Sequence, residues 1–269
     1  MKIFCCQMDI AWENKPANFA KAQKLIAGAK VPPGSLVLLP EMFATGFSMN
    51  VPLLAESATP GPAGKNSETA AFLARTAQEF GIFLMGGLIT AGPKGRGYNQ
   101  AGVYSPEGKE LARYTKCQPF TLGGEAKHYE AGKEIVTFKW QDCVVAPFIC
   151  YDLRFPELFR AAVRQGAELF PVIASWPVKR IHHWVTLLQA RAIENLAYVA
   201  GVNRTGTDPS LAYNGRSLIV NPHSDVLAQA GAEETVISAD IDLDGLRAWR
   251  AEFPALKDMR PMPTSLSRI

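Results

Sequence analysis

The sequence contains no apolar run approaching the roughly 20 residues that a membrane-spanning helix requires, which excludes a helical membrane protein. It carries little net charge, +3 at pH 7, and its Lys and Arg residues are scattered with no basic run. Neither nucleic acid nor an anionic membrane surface is therefore implied as a partner. The five cysteines (Cys5, Cys6, Cys117, Cys143 and Cys150) form an odd set with no CxxC and no zinc-type Cys/His spacing. They read as reduced thiols, so the expected compartment is the cytoplasm. The stretch Met1-Lys2-Ile3-Phe4-Cys5-Cys6-Gln7 runs straight into a strand and lacks the layout of a signal peptide. A glycine-rich stretch, Gly92-Pro93-Lys94-Gly95-Arg96-Gly97, has neither the spacing of a phosphate loop nor a helix directly after it, and reads as a connection. Low-complexity segments, tandem repeats and composition breaks that would mark a linker are all missing, which leaves a single domain over 1–269.

What is present is a chain of 269 residues, 48% hydrophobic, enough to bury a large core without disulfides or metals. Apolar periodicity predicts strands at 2–8, 35–40, 82–89, 98–104, 110–115, 168–175, 197–203, 217–220, 226–229 and 235–240, with two more flanking Gln141-Asp142. Helical periodicity predicts Ala17–Ala29, Ser67–Phe80 closed by Gly81, Val178–Leu196 and Asp242–Glu252. Residues 117–133 read as an irregular segment too long for an ordinary connection, which favours a site-forming role. The Pro-spaced tail from Phe253 is expected to pack on a neighbouring subunit. The helix–strand alternation with interspersed hairpins predicts an α/β fold with a mixed sheet layered by helices.

The most informative stretch is Cys143–Glu157. An apolar run reads as a buried strand that stops at Cys150, and Pro156 then opens a helix with Gly166 past its end. A cysteine between a strand's carboxyl end and the next helix lies where α/β sheets bind ligands, and the positive end of that helix, pointed at the sulfur, would favour the thiolate. Glu41 and Lys116 share this context, each following an apolar strand. Strand ends on one sheet edge converge, and a thiolate, a carboxylate and an ammonium together suit acyl transfer: nucleophile, proton carrier and oxyanion donor.

Leu38-Leu39-Pro40-Glu41-Met42-Phe43, Tyr114-Thr115-Lys116 and Ile149-Cys150-Tyr151-Asp152-Leu153-Arg154-Phe155-Pro156-Glu157 resemble, in order and spacing, the three signatures of the nitrilase (carbon–nitrogen hydrolase) superfamily. The resemblance implies a four-layer α-β-β-α sandwich, a Glu41–Lys116–Cys150 triad acting through a thioester, no cofactor and no metal, and a homodimer. Gly123-Gly124-Glu125 matches the family's downstream glutamate and implies Glu125 as a support for the lysine and for substrate orientation. The resemblance also assigns the Tyr151 backbone N–H as a second oxyanion donor. Ser175–Trp184, Leu187–Asn195 and Gly201–Arg204 are similar to the omega-amidase branch, whose substrates are terminal amides of 2-oxo acids such as 2-oxoglutaramate and 2-oxosuccinamate. Cys117-Gln118-Pro119-Phe120 departs from the family, which usually continues the lysine with a basic residue and then His-Leu-Phe. A polar ring and a charge beside the oxyanion site are thereby replaced.

Around this triad, Trp176 at a strand end is a candidate wall for a small substrate, and Arg180 a candidate cation for its carboxylate, since Arg binds carboxylates bidentately. Arg154 and Glu157 read as a structural ion pair, and Asp152 as a cap for the Pro156 helix. His182 and His183 are adjacent on one helix, point to different sides and lack a third ligand, so no metal site is expected. Two other readings share these residues. One is another carbon–nitrogen hydrolase, such as a carbamoylase, aliphatic amidase or nitrilase; the other is a ligand-binding member of the fold without turnover.

Overall fold

The alternating apolar strands assemble into two sheets in the computed structural model, which describes residues 1–57 and 67–260. The first sheet comprises β1 (Lys2–Gln7), β2 (Leu36–Leu38), β3 (Phe83–Ala91), β4 (Gly97–Tyr104), β5 (Glu110–Thr115) and β15 (Thr235–Asp240), in the order β15-β1-β2-β3-β4-β5. Its β1, β2 and β3 run parallel, whereas β15, β4 and β5 join antiparallel. The second sheet takes β6 (Phe138–Trp140), β7 (Cys143–Val145), β9 (Leu169–Ala174), β10 (Tyr198–Asn203), β13 (Leu218–Val220) and β14 (Val226–Gln229), with β8 (Phe148–Ile149) also paired to β9. A two-stranded ribbon, β11 (Thr205–Thr207) and β12 (Ala212–Asn214), stands apart.

The sheets meet through their inner faces. Ile3, Leu38, Ala101 and Tyr114 from the first share one buried cluster with Val145, Phe148, Ile173 and Val199 from the second. The same cluster continues through the second sheet to Phe159 on α5 (Pro156–Arg164) and to Trp184 and Leu188 on α6 (Ile181–Asn195). Phe148 lies 4.0 Å from the Phe159 ring and 5.9 Å from Phe170, and burying each such side chain is worth about 1.5–3 kcal/mol. On the outer face of the first sheet, Phe4, Val37 and Leu84 pack on Ala22 and Ile26 of α1 (Lys15–Gly28) and on Phe72 and Leu73 of α3 (Glu68–Phe80). The layers therefore run helix, sheet, sheet, helix, as the family resemblance implies.

Local chemistry sets the element ends. The first helix begins earlier than the apolar periodicity predicts, because the Asn14 side chain accepts from the Ala17 N–H and Pro16 sits in the first turn. Gly81 closes α3 at φ +63, a conformation that costs glycine little. The long helix predicted from Val178 starts instead as a 3₁₀ turn, Val178–Arg180. The strand predicted up to Cys150 is broken at Ala146-Pro147, since proline cannot donate to a ladder. Between α5 and β8 lies another 3₁₀ turn, Cys150–Arg154. Within the C-terminal tail, Leu256 and Met259 pack against the chain's own core, and Arg164 on α5 donates to the Arg260 carbonyl. Residues 261–269, to which the expected contact with a neighbour also extends, lie outside the described residues. Among the described residues no helix is long and apolar enough to cross a membrane.

Candidate active site

Period-two alternation on β5 turns Ala112 and Tyr114 inward, and Lys116, one step past the strand, continues that face into the gap between the sheets. Glu41 leaves the first sheet just after β2, followed by Met42 at φ +46. Cys150 leaves the second sheet after β8 and is itself left-handed, at φ +47. A non-glycine residue held there is strained, by about 1–3 kcal/mol, and such strain gathers at functional sites. Glu125 opens the short α4 (Glu125–His128) inside the irregular segment 117–133.

These residues converge. The Lys116 ammonium donates to Glu41 Oε1 at 2.9 Å and to Glu125 Oε2 at 2.8 Å, with Glu125 Oε1 at 3.1 Å. All three side chains are buried, at 0% exposure for both glutamates and 1% for the lysine. Two carboxylates buried together are tolerable only because the ammonium and neutral donors satisfy them. The neutral donors are the Asn99 amide, 2.7 Å from Glu41 Oε1 and 2.8 Å from Glu125 Oε1, the Ser175 N–H, 2.9 Å from Glu41 Oε2, and the Phe120 N–H, 2.6 Å from Glu125 Oε2. Burial alone would lower the Lys116 pKa, but Glu125 and Glu41 outweigh it and raise it well above the ordinary lysine value, so the group stays an ammonium.

Cys150 is partly open to the cavity, which Ser175 also lines, and lies in the fields of Glu41 and Lys116. Burial, then the Glu41 charge, push its pKa well above the ordinary thiol value, and Lys116 and the Ser175 N–H only partly offset them. The helix-favoured thiolate expected from sequence is thus not what the fold makes: α5 begins at Pro156, beyond the 3₁₀ turn, and the resting group is a thiol. Its proton must be taken during attack. Cys117 is the other partly exposed cysteine, whereas Cys5, Cys6 and Cys143 are buried, so a thiol reagent meets two sites rather than one.

Asp152 does not cap the Pro156 helix. Its buried carboxylate accepts from the Ile149 N–H at 3.0 Å, the Gln118 N–H at 2.8 Å and the Tyr114 hydroxyl at 2.8 Å, and so ties the lysine's loop to the cysteine's turn. Burial pushes its pKa up to about 7, although Lys116 and the three donors pull the other way. A carboxyl raised in the folded state binds its proton there at pH values where the unfolded chain has lost it. Its contribution therefore makes stability fall as pH rises from about 4 to about 7, by an amount on the order of 4 kcal/mol. Asp152→Asn should flatten that slope in urea midpoints measured at pH 5 and pH 8; an unchanged slope would assign it to other groups.

Above the cluster opens a narrow cavity lined by Lys116, Cys150, Phe120, Trp176, Arg154 and Arg180 among others. Among the described residues the lining holds three cations and no carboxylate. Trp176 and Arg180 both line the cavity, with the Trp176 indole donating to the Arg180 carbonyl at 2.8 Å and the Arg180 guanidinium 5.4 Å from the Phe120 ring. Tyr151 faces the same space, its ring 4.9 Å from Phe120, and its backbone amide belongs to the first turn of the 3₁₀ segment, whose N–H groups lack partners within the turn. Arg154 does not pair with Glu157. It turns into the cavity, 3.1 Å from His183 Nδ1 and 4.9 Å over the Trp176 ring. Sequence reasoning does not single out Asn99, Ser175, Phe47 or Leu211. Only Asn99 left a trace, as a polar residue on the strand face that also carries Ala101 and Val103.

The family model for carbon-nitrogen hydrolases matches residues 2–251. The chain is 33% identical to a 2-oxoglutaramate amidase of Bacillus subtilis over 259 residues, covering 96% of this chain and 97% of that protein. It is 36% identical to the omega-amidase YafV of Yersinia enterocolitica over 260 residues, covering 96% of each. Among solved structures, XC1258 from Xanthomonas campestris, a CN-hydrolase superfamily protein with an arsenic adduct in its active site, superposes with a TM-score of 0.88 at 31% identity over 98% of this chain and 99% of that one. A family match over nearly the whole length, a shared sandwich and a converged Glu-Lys-Cys cluster lead to one conclusion: this chain belongs to the carbon–nitrogen hydrolase family and is related to its omega-amidases.

Proposed function

We propose that the protein is a thiol-dependent amidohydrolase that cleaves the terminal amide of a short 2-oxo dicarboxylic acid, of the 2-oxoglutaramate or 2-oxosuccinamate type, to the carboxylate and ammonia. The observation that carries this reading is that Cys150 and Lys116 line one cavity together with Arg154 and Arg180, while the buried Glu41 carboxylate is bonded to Lys116 directly behind it. In it, Cys150 Sγ bonds to the amide carbon as Glu41 removes the thiol proton, which suits a thiol whose pKa is raised. The electron pair moves to the carbonyl oxygen, held by the Lys116 ammonium and the Tyr151 N–H. Glu41 passes the proton to nitrogen, the C–N bond breaks, and ammonia leaves a thioester. Glu41 then takes a proton from water as the oxygen adds to the thioester carbon, and returns it to sulfur as the C–S bond breaks. Glu125 keeps the lysine charged and in place.

The substrate class follows from the walls. Arg180 is assigned to the substrate's far carboxylate, with Trp176 as the flat wall beside it, and the names of the two curated relatives point the same way. No metal or cofactor enters the scheme. We take the protein to be cytoplasmic and a homodimer, which sedimentation of the full chain tests. An ammonia-release panel of 2-oxoglutaramate, a neutral short amide, N-carbamoyl amino acids and nitriles decides the substrate. We expect 2-oxoglutaramate to lead, and Arg180→Gln to raise its KM about tenfold or more while sparing the neutral amide. Activity confined to carbamoyl compounds or nitriles would reject the 2-oxo acid.

A further inference from the structure

Asn99 lies on β4 with its side chain between the two glutamates, and it is as buried as they are. One amide nitrogen serves both carboxylates, at 2.7 Å to Glu41 Oε1 and 2.8 Å to Glu125 Oε1. The orientation is chemically forced, because the flipped amide would set its oxygen against two carboxylate oxygens. The correct orientation has a cost: Asn99 Oδ1 is buried with no hydrogen-bond partner among the described residues. A buried polar atom left unsatisfied calls for an explanation beyond packing. The backbone of the same residue also holds the lysine, since the Asn99 carbonyl accepts the Lys116 N–H at 2.9 Å.

The consequence concerns which oxygen of Glu41 does the work. Oε1 already receives two donors, Lys116 Nζ and Asn99 Nδ2. Oε2 receives a single donor among the described residues, the Ser175 N–H, and Ser175 lines the same cavity as Cys150. We infer that Asn99 is a positioning residue: with Lys116 it occupies Oε1 of Glu41 and leaves Oε2, on the side of Ser175 and Cys150, as the atom that takes the thiol proton. Only an uncharged double donor fits the place. A second ammonium would compete with Lys116 for the carboxylates, and a third carboxylate would repel both.

This inference rests on the amidase reading above, and the experiment separates the two. Asn99→Ala and the isosteric Asn99→Asp are compared with wild type, each checked for folding by its melting transition. On any amide the wild type hydrolyses, Asn99→Ala should lower plateau kcat about tenfold with KM nearly unchanged, because the base is held less firmly. The acid limb of its kcat profile should move up by about one pH unit, since losing a donor to the charged form favours the protonated carboxyl. Asn99→Asp should move the limb at least as far while keeping the shape of the side chain. The pH dependence of Cys150 alkylation by iodoacetamide needs no substrate, and its acid-side inflection should move in the same direction. A folded variant with both the limb and the inflection unmoved overturns the positioning role. A wild type that releases ammonia from no amide overturns the amidase reading, and the alkylation inflection then still decides on Asn99.

Discussion

Cys150→Ala should abolish ammonia release, by about 10⁴-fold or more, with folding intact. The size of the effect follows from the route: without sulfur no thioester forms, and what remains is substrate bound beside an ammonium and a misplaced base. Removing one sulfur atom at a residue already open to the cavity should shift stability by no more than about 1 kcal/mol, so activity and fold separate cleanly. Mass spectrometry gives the positive half of the test. Wild type mixed with a slowly hydrolysed amide should gain the mass of the acyl group, on the peptide that holds Cys150, and the alanine variant should not. Turnover that survives in Cys150→Ala would leave no role for the thiol and would remove the proposed mechanism. Iodoacetamide labelling needs Cys117 counted separately, because it too is partly exposed.

Lys116→Met should lose both activity and stability. Among the described residues its ammonium is the only cation bonded to the Glu41 and Glu125 carboxylates, and Asn99 alone would then stand between them. Breaking a buried ion pair by removing one partner costs about 3–5 kcal/mol, because the charge left behind has no solvent and no counterion. The same deletion removes a donor from the oxyanion, worth about 10²–10³ in kcat. A double variant, Lys116→Met with Glu125→Gln, should recover part of the stability by removing one uncompensated charge and should recover none of the activity. Urea midpoints and ammonia release on the three proteins read both effects. A Lys116→Met protein as stable and as active as wild type would show that the ion cluster does not bear on either.

The contrast between Asp152 and Lys116 shows how far residue patterns reach. Lys116 continues the inward alternation of Ala112 and Tyr114, so its place between the sheets is legible from the strand alone. Asp152 sits four residues before the helix-opening Pro156, where a cap is a common outcome, yet it bonds Tyr114 on β5 and Gln118 in the loop after it, over 30 positions away. Arg154 fails in the same manner. Its neighbour Glu157 offers a local ion pair, but Trp176 and His183 give it a flat face and a ring nitrogen at the cavity wall. Nearby charges in sequence compete with distant partners in space, and only the folded chain brings the distant ones into reach.

By itself the sequence determined the alternation of strands and helices, the α/β class, and the three strand ends that carry a carboxylate, an ammonium and a thiol, because periodicity and turn chemistry are local properties of the chain. The two-sheet sandwich was implied only by the family resemblance. Tertiary structure alone decided that Glu41 would accept hydrogen bonds from Asn99, Lys116 and Ser175, which lie 58, 75 and 134 positions away. It also decided that the thiol would be raised rather than lowered, since burial and a facing carboxylate are made by packing one sheet on another and leave no mark in a pattern of neighbours.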